Sequence, residues 1–177
     1  MEVFDLKADC DLDIMTPRQT LSTITSKCLL GMDDAIEQLK PDMILVHGDT
    51  STTFAGALSA FYHKVPVGHV EAGLRTYEEM NRKLVTAIAD LYFCPTKNNR
   101  ENLLKEGVTE GLFITGNTVI DALKTTVRKD YRFTTELLNE LDYSRKVVLV
   151  TCHRRENYGQ PMENIMTALR DIAIQNE

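Results

Sequence analysis

Apolar residues along this chain recur at two alternating spacings, one typical of amphipathic helices and one typical of short buried strands. The first helical stretch should end at Lys40-Pro41, because proline disfavours helical geometry in the residue before it. Its apolar positions are Leu21, Ile24, Cys28, Met32, Ile36 and Leu39. The apolar run at residues 43–47 follows directly and predicts a strand buried on both faces. Together they predict the opening of a βαβ unit.

The same alternation continues to about residue 115. A second helix should carry Phe54, Leu58 and Phe61. Further strands are predicted at residues 65–70, 91–94 and 112–115, with helices at 79–89 and 97–106 between them. Strands separated by helices at such intervals predict a parallel sheet with helices on both faces, joined by right-handed crossovers. We therefore predict an α/β, Rossmann-like layer.

The last third of the chain has a different organisation. A helix near residues 119–123 precedes a charged stretch and a further helix at 137–141, and residues 146–151 then predict a fresh strand before a closing helix. One strand and one helix cannot make a stable sheet. We therefore divide the chain into an N-terminal domain at residues 1–116 and, at residues 117–177, a connector with the start of a second Rossmann-like domain.

Composition narrows the possible partners. The 26 acidic and 20 basic residues give a net charge of −6, and no segment concentrates Lys and Arg, so we expect no nucleic-acid partner. No apolar run approaches the roughly 20 residues that span a bilayer, and the N-terminus lacks the features of a signal peptide. We expect no membrane anchor and a cytoplasmic location.

The four cysteines give no sign of a metal or disulfide framework. They form no C-x-x-C pair and are widely spaced, at Cys10, Cys28, Cys94 and Cys152. We interpret them as buried thiols.

Ligands of open parallel sheets bind beyond the carboxyl ends of the strands, and three predicted strand ends are unusually polar. The first is the segment 47–53, where Asp49 and four hydroxyl residues precede a helix. Asp, Ser and Thr often cap helices, which is one interpretation of this segment. The other is a catalytic carboxylate at a helix N-terminus that favours anions.

The second polar end follows the strand at residues 65–70. Glu71 lies between His69 and Arg75, and Glu78 is followed four residues later by Arg82. A Glu78–Arg82 pair could simply support a helix. Glu71 ends an apolar strand, where a merely solvated carboxylate is a poor choice. Several carboxylates in one cleft would raise one another's pKa, as proton transfer at neutral pH requires.

The third polar end is the segment 151–157, which contains His153, Arg154 and Arg155. Guanidinium groups pair with phosphate oxygens in a bidentate fork, so this segment suits a diphosphate. A solvated turn with salt bridges is the alternative. The histidines and acids show no metal-ligand spacing, and we predict no metal site.

Four segments taken together carry a family resemblance. They are VHGDTSTTFAGALSAFYHKVPVGHVEAGLRT, EEMNR, ITGNTVIDAL and VTCHRREN. In this order they closely resemble the non-hydrolysing UDP-N-acetylglucosamine 2-epimerases, over nearly the whole chain. The resemblance implies a GT-B arrangement of two Rossmann-like domains, with this chain truncated at both ends.

The resemblance also implies a reaction. UDP-N-acetylglucosamine and UDP-N-acetylmannosamine interconvert by loss of the C2 proton and UDP, through 2-acetamidoglucal, for bacterial surface polysaccharide. No cofactor is implied. By motif, the family's catalytic residues fall on Asp49, Glu71, Glu78 and His153. Two arginines match positions near the substrate, and these are Arg82 and Arg154. A homodimer is expected for the full-length parent.

The chain departs from the family pattern in three places. The first strand with its GTRPE-type loop is absent, and so is most of the second domain with its SGG-x-x-EE segment. The segment Thr76-Tyr77-Glu78 is several residues shorter than the family's loop. We therefore expect the isolated chain to be inactive. The alternatives are a GT-B glycosyltransferase and a folded remnant without catalytic activity.

Overall fold

The computed structural model describes residues 4–75, 79–152 and 157–176, and no side chain is described for Glu79. Two compact units make up the chain, Met1–Arg128 and Lys129–Glu177. The first unit contains a parallel four-stranded sheet in the order β1-β2-β3-β4. Its strands are β1 at Ile44–His47, β2 at Val67–Val70, β3 at Leu91–Cys94 and β4 at Leu112–Ile114. The predicted parallel α/β layer is confirmed.

Within the described parts of the chain, five helices belong to the first unit and two to the second. In the first unit they are α1 at Leu21–Leu39, α2 at Ser51–Tyr62, α3 at Glu79–Ile88, α4 at Lys97–Lys105 and α5 at Thr118–Thr126. In the second unit they are α6 at Glu136–Asn139 and α7 at Gln160–Gln175. Each predicted helix is present, with bounds within a few residues of those expected from the apolar spacing.

Threonine begins three of the helices of the first unit. The hydroxyls of Thr20, Thr50 and Thr96 each accept a hydrogen bond from the backbone N–H three residues later. Such a bond satisfies one of the donors that the first turn of a helix leaves unpaired. At the other end of α1, Lys40 adopts a left-handed conformation directly before Pro41. The helix therefore ends where the proline predicts.

Among the described residues of the first unit, helices cover one face of the sheet and not the other, which corrects two predictions. On the covered face Val46, His69 and Tyr92 are buried, whereas on the other face Leu45 is 63% exposed and Phe113 is 50% exposed. The reason is topological. The four strands lie in chain order, so crossovers of one hand place α2, α3 and α4 on the same side. Helices on both faces, and a first strand buried on both faces, were wrong for the described residues.

The core lies between the covered face of the sheet and helices α2, α3 and α4. Its buried residues include Val67, Val85, Cys94 and Leu103. Two cysteines, Cys28 and Cys94, are buried as predicted, and burial raises the pKa of each thiol. Cys10 is exposed and Cys152 is half-buried, so the prediction of four buried thiols was wrong for these two.

The second unit has no strand among its described residues. The segment 146–151, predicted as a strand, does not form one in the structure, and Leu149 is 94% exposed. A strand requires ladder hydrogen bonds to a neighbouring strand, and the described residues of this unit contain no second strand. The strand prediction was wrong for this structure, although the closing helix α7 is present.

Candidate functional site

The candidate site begins at the turn that follows β1. Gly48 has φ +76°, a conformation that glycine adopts without steric cost, and it carries the chain from β1 to Thr50 at the start of α2. Thr50 is the residue that caps α2, since its hydroxyl accepts from the backbone N–H of Thr53 at 3.2 Å. The carboxylate of Asp49 is therefore not needed as a cap and points to another partner.

That partner is Arg82 of α3. The Arg82 residue is 1% exposed, and its Nη2 lies 2.6 Å from Oδ2 of Asp49. Its Nη1 donates to the backbone carbonyl of Glu71, and Nη2 lies 3.9 Å from the Glu71 Oε2. One buried guanidinium thus contacts both strand-end acids. Its positive charge is therefore within 4 Å of both negative carboxylates.

Glu71 is held in an uncommon backbone conformation. It has φ +63°, in the left-handed region that non-glycine residues seldom occupy and that costs on the order of 1 kcal/mol or more. The hydrogen bond from Arg82 to its carbonyl helps to maintain this conformation. The Glu71 carboxylate is 23% exposed, and its Oε1 lies 3.7 Å from Nε2 of His47. Such conformations concentrate at functional sites.

The backbone around Asp49 is fixed by three side chains from three different elements. Thr53 of α2 donates its hydroxyl to the carbonyl of His47 at 2.6 Å. Nε2 of His69, in β2, lies 2.8 Å from the carbonyl oxygen of Gly48. Asn81 of α3 donates Nδ2 to the carbonyl of Asp49 at 2.9 Å. Three consecutive carbonyls are therefore each bound by a side chain.

His69 is fully buried beneath this turn. Burial lowers its pKa to about 4, and the neighbouring positive charge of Arg82 adds to that effect, against the opposing hydrogen bond to Gly48 and the negative charge of Asp49. His69 is therefore a neutral imidazole at neutral pH.

The structure brings together three of the predicted site residues, Asp49, Glu71 and Arg82. Three others lie outside the described residues, and these are Glu78, His153 and Arg154. Arg75, which flanks Glu71 in the sequence, instead donates Nε to Oε1 of Glu106 at 2.9 Å, next to the end of α4. Arg82 therefore contacts two of the candidate acids, whereas its spacing from Glu78 had suggested only a pair that supports a helix.

Sequence reasoning missed the parts that Asn81 and His69 play in this turn. Asn81 directly precedes Arg82 in the EEMNR segment, and His69 lies two residues before Glu71. Their proximity to predicted site residues was the available signal. Which carbonyl His69 reaches depends on the register between β1 and β2, in which Val46 lies beside His69.

Neither a metal site nor a membrane-spanning helix is present among the described residues. Residues 4–75, 79–152 and 157–176 contain no group of three or more His, Cys, Asp and Glu side chains that could hold a metal ion. None of the helices described is both long and apolar enough to cross a membrane.

The family model described as UDP-N-acetylglucosamine 2-epimerase matches residues 1–177, the whole chain. The chain belongs to this family. A Clostridium acetobutylicum relative of this epimerase family is 56% identical over 186 aligned positions, covering 100% of this chain. The Bacillus subtilis UDP-N-acetylglucosamine 2-epimerase is 52% identical and covers 97% of the chain.

A solved epimerase structure has the same fold. The crystal structure of UDP-GlcNAc 2-epimerase from Neisseria meningitidis, bound to UDP-GlcNAc, matches 98% of this chain with a TM-score of 0.88 and 42% identity. The chain corresponds to 50% of that structure, 48% of the Clostridium acetobutylicum relative and 47% of the Bacillus subtilis epimerase. It therefore spans about half the length of the epimerases that it matches, and its sheet is part of their GT-B fold.

Proposed function

We propose that this chain is part of a UDP-N-acetylglucosamine 2-epimerase that interconverts UDP-N-acetylglucosamine and UDP-N-acetylmannosamine. Family membership supports the proposal, as does the Neisseria meningitidis relative, which was crystallised with UDP-GlcNAc. In the parent protein, a base removes the C2 proton of the sugar while the bond from C1 to the UDP oxygen breaks. The C1–C2 double bond of 2-acetamidoglucal forms. UDP then returns to C1 as a proton is delivered to the other face of C2.

The observation that carries the proposal is the pair of carboxylates around Arg82. Inversion at C2 needs proton transfer on two faces of the sugar, so two acid/base groups serve it better than one. Asp49 and Glu71 follow the carboxyl ends of adjacent strands, and one buried guanidinium lies within 4 Å of both carboxylates. Ligands of parallel sheets bind at this edge. Arg82 fixes both acids before the substrate arrives, so no reorganisation is needed during the reaction.

The remaining family motifs complete the proposed site. We propose Glu78 as a third acid/base group, and His153 and Arg154 as groups that bind the diphosphate and stabilise UDP as it leaves. A guanidinium suits this task because it pairs with phosphate oxygens in two parallel hydrogen bonds. No cofactor takes part in the proposed reaction.

The parent protein is proposed to act in the supply of bacterial surface polysaccharide, in the cytoplasm and as a homodimer. Residues 1–116 would belong to its N-terminal Rossmann-like domain, without the first strand and loop. Residues 117–177 would form the connector and the start of the C-terminal domain. Nucleic acid and membrane play no part in this proposal.

The test uses a chimera in which this chain replaces the matching 47% of the Bacillus subtilis epimerase. Incubated with UDP-N-acetylglucosamine and separated by chromatography, the chimera should give the 2-epimer without added NAD or metal. The isolated 177-residue chain is the comparison and should give none, because most of the groups proposed to hold UDP belong to the half that the chimera adds.

Two results would contradict the proposed function, and a third would contradict the expected inactivity of the isolated chain. Transfer of the sugar to an acceptor, without the 2-epimer, would favour a GT-B glycosyltransferase. A folded chimera without any product would favour a remnant that lacks catalytic activity. Turnover by the isolated chain, with its mass verified, would mean that Asp49, Glu71 and their neighbours organise the site alone.

A further inference from the structure

His69 is a titratable side chain with no part in the proposed proton transfers, yet it lies directly under the site. It is fully buried in β2, while Asp49 follows the neighbouring strand. A buried imidazole is costly unless its polar atoms are bonded. Nε2 lies 2.8 Å from the Gly48 carbonyl, and Nδ1 has no hydrogen-bond partner among the described residues. Among the described residues, the hydrogen bond of the His69 side chain is therefore the one at Nε2.

The geometry fixes the tautomer of His69. A carbonyl oxygen can only accept a hydrogen bond, so Nε2 must carry the proton that it donates to Gly48. Nδ1 is then the unprotonated nitrogen. The pKa of His69 is about 4, chiefly because burial lowers it. The ring therefore stays neutral beside Arg82, Asp49 and His47. His69 therefore acts as a fixed donor and not as a proton shuttle.

Two residues of β2 bind the backbone of Gly48, one at its N–H and one at its carbonyl. The backbone N–H of Gly48 donates to the carbonyl of Val70 at 3.0 Å, and its carbonyl accepts from His69. Gly48 directly precedes Asp49, and Val70 directly precedes Glu71. The positions of the two acids are thus linked through one residue at the end of β1.

We propose that His69 is a positioning residue, which sets the distance between Asp49 and Glu71 by donating Nε2–H to the Gly48 carbonyl. The inference rests on the proposed epimerase function for its effect on turnover. Without this donor the turn can shift, and a misplacement of about 1 Å costs on the order of 100-fold in rate when groups must act together. Because His69 is buried, its loss should leave KM almost unchanged.

Two His69 variants separate positioning from packing in the chimera. His69→Gln can place an amide N–H near the position of Nε2, whereas His69→Leu fills the space without a donor. We expect kcat to fall about 10-fold or more in His69→Leu, with KM within about twofold of the parent value, and to recover to within about threefold in His69→Gln.

Tyr92→Phe is the matched control. Tyr92 is also a buried side chain of the sheet, but its hydroxyl donates to the carbonyls of Thr86 and Ala89 and not to the turn that precedes Asp49. Its loss should lower stability but leave kcat unchanged. Equal losses of kcat in both His69 variants, a comparable loss in Tyr92→Phe, or full activity in His69→Leu would overturn the proposal.

A second measurement does not depend on catalysis. Nitrogen-15 NMR of the His69 ring in the 177-residue chain should show Nε2 protonated and Nδ1 unprotonated from about pH 5.5 to 8. A proton on Nδ1, or titration near the usual histidine pKa, would overturn the proposal even if His69→Leu failed to fold. An inactive parent chimera with the expected tautomer would instead contradict the proposed function and leave the contact with Gly48 supported.

Discussion

At the scale of single residues, Arg82 is a positively charged side chain that is almost completely buried. The residue is 1% exposed and contacts Asp49 and Glu71. A buried charge is tolerated only where it is paired and hydrogen-bonded. Asp49 and the carbonyl of Glu71 provide such partners. Arg82 therefore connects the stability of the first unit with the geometry of the site.

We predict that Arg82→Met destabilises the chain by about 3 kcal/mol, because Asp49 keeps its charge without its guanidinium partner. Urea denaturation followed by circular dichroism would measure the loss. Lys124→Met is the matched control, since Lys124 pairs with Asp121 at 3.0 Å but both side chains are more than 70% exposed. It should change the free energy of unfolding by less than about 0.5 kcal/mol. Similar losses in the two variants would contradict this account of Arg82.

The proposed acid/base residues give a second prediction at this scale. Asp49→Asn, Glu71→Gln and Glu78→Gln should each lower kcat of the chimera by about 100-fold or more, as loss of a general acid or base does. Steady-state assays for the 2-epimer, with circular dichroism to verify folding, would measure the effect. Full activity in all three variants would contradict the proposed acid/base roles of these carboxylates.

His69 gives a prediction about pH. Its pKa is about 4 in the folded chain against 6.5 for an unperturbed histidine, so between these values the unfolded chain binds a proton that the folded chain does not. Acidification through this window therefore favours unfolding, by up to about 3 kcal/mol once the pH reaches the lower value. Lowering the pH from 7 to 4.5 should reduce the urea concentration at the midpoint of unfolding more in the parent chain than in His69→Gln. Equal differences would contradict the prediction.

At the scale of elements, the four strands in chain order determine which residues are buried. Val46 and Leu45 are neighbours in β1, yet Val46 is 7% exposed and Leu45 is 63% exposed. Successive side chains of a strand point to opposite faces of the sheet. Only the face of Val46 is packed against helices in the described chain.

The difference in exposure between Val46 and Leu45 predicts that truncation of the smaller side chain destabilises the chain more. In the isolated chain, Val46→Ala should cost about 1–2 kcal/mol, whereas Leu45→Ala should cost less than about 0.5 kcal/mol although it removes more carbon atoms. Urea denaturation of both variants would measure the two losses. A larger loss for Leu45→Ala would show that the face carrying Leu45 is covered in solution.

Most of the elements could be predicted from the sequence because their signals are local. Helix α1 has an apolar stripe, a threonine cap and a proline stop, and each of these lies within the segment itself. The faces of the sheet could not be predicted, since they depend on the order of the strands. Residues 146–151 failed as a strand for a related reason, because their composition favours extended structure but pairing requires a second segment.

At the scale of the whole molecule, the site could be predicted in part. Asp49 and Glu71 followed from the rule that ligands bind beyond strand ends, and the resemblance to the epimerases selected them among other acids. The buried contacts of Arg82, Asn81 and His69 did not follow, because each reaches an atom far away in the chain. Long-range contacts of this kind have no local sequence signal.

The central claim is that this chain carries acid/base groups for epimerisation at C2 of a UDP-sugar. Proton NMR of the chimera with UDP-N-acetylglucosamine in deuterated water tests it most directly. Removal and return of the C2 proton by enzyme groups that exchange with solvent should place deuterium at C2 as the two epimers approach equilibrium. Asp49→Asn should slow this incorporation about 100-fold or more. A folded, UDP-binding chimera that shows no deuterium at C2 would contradict the account.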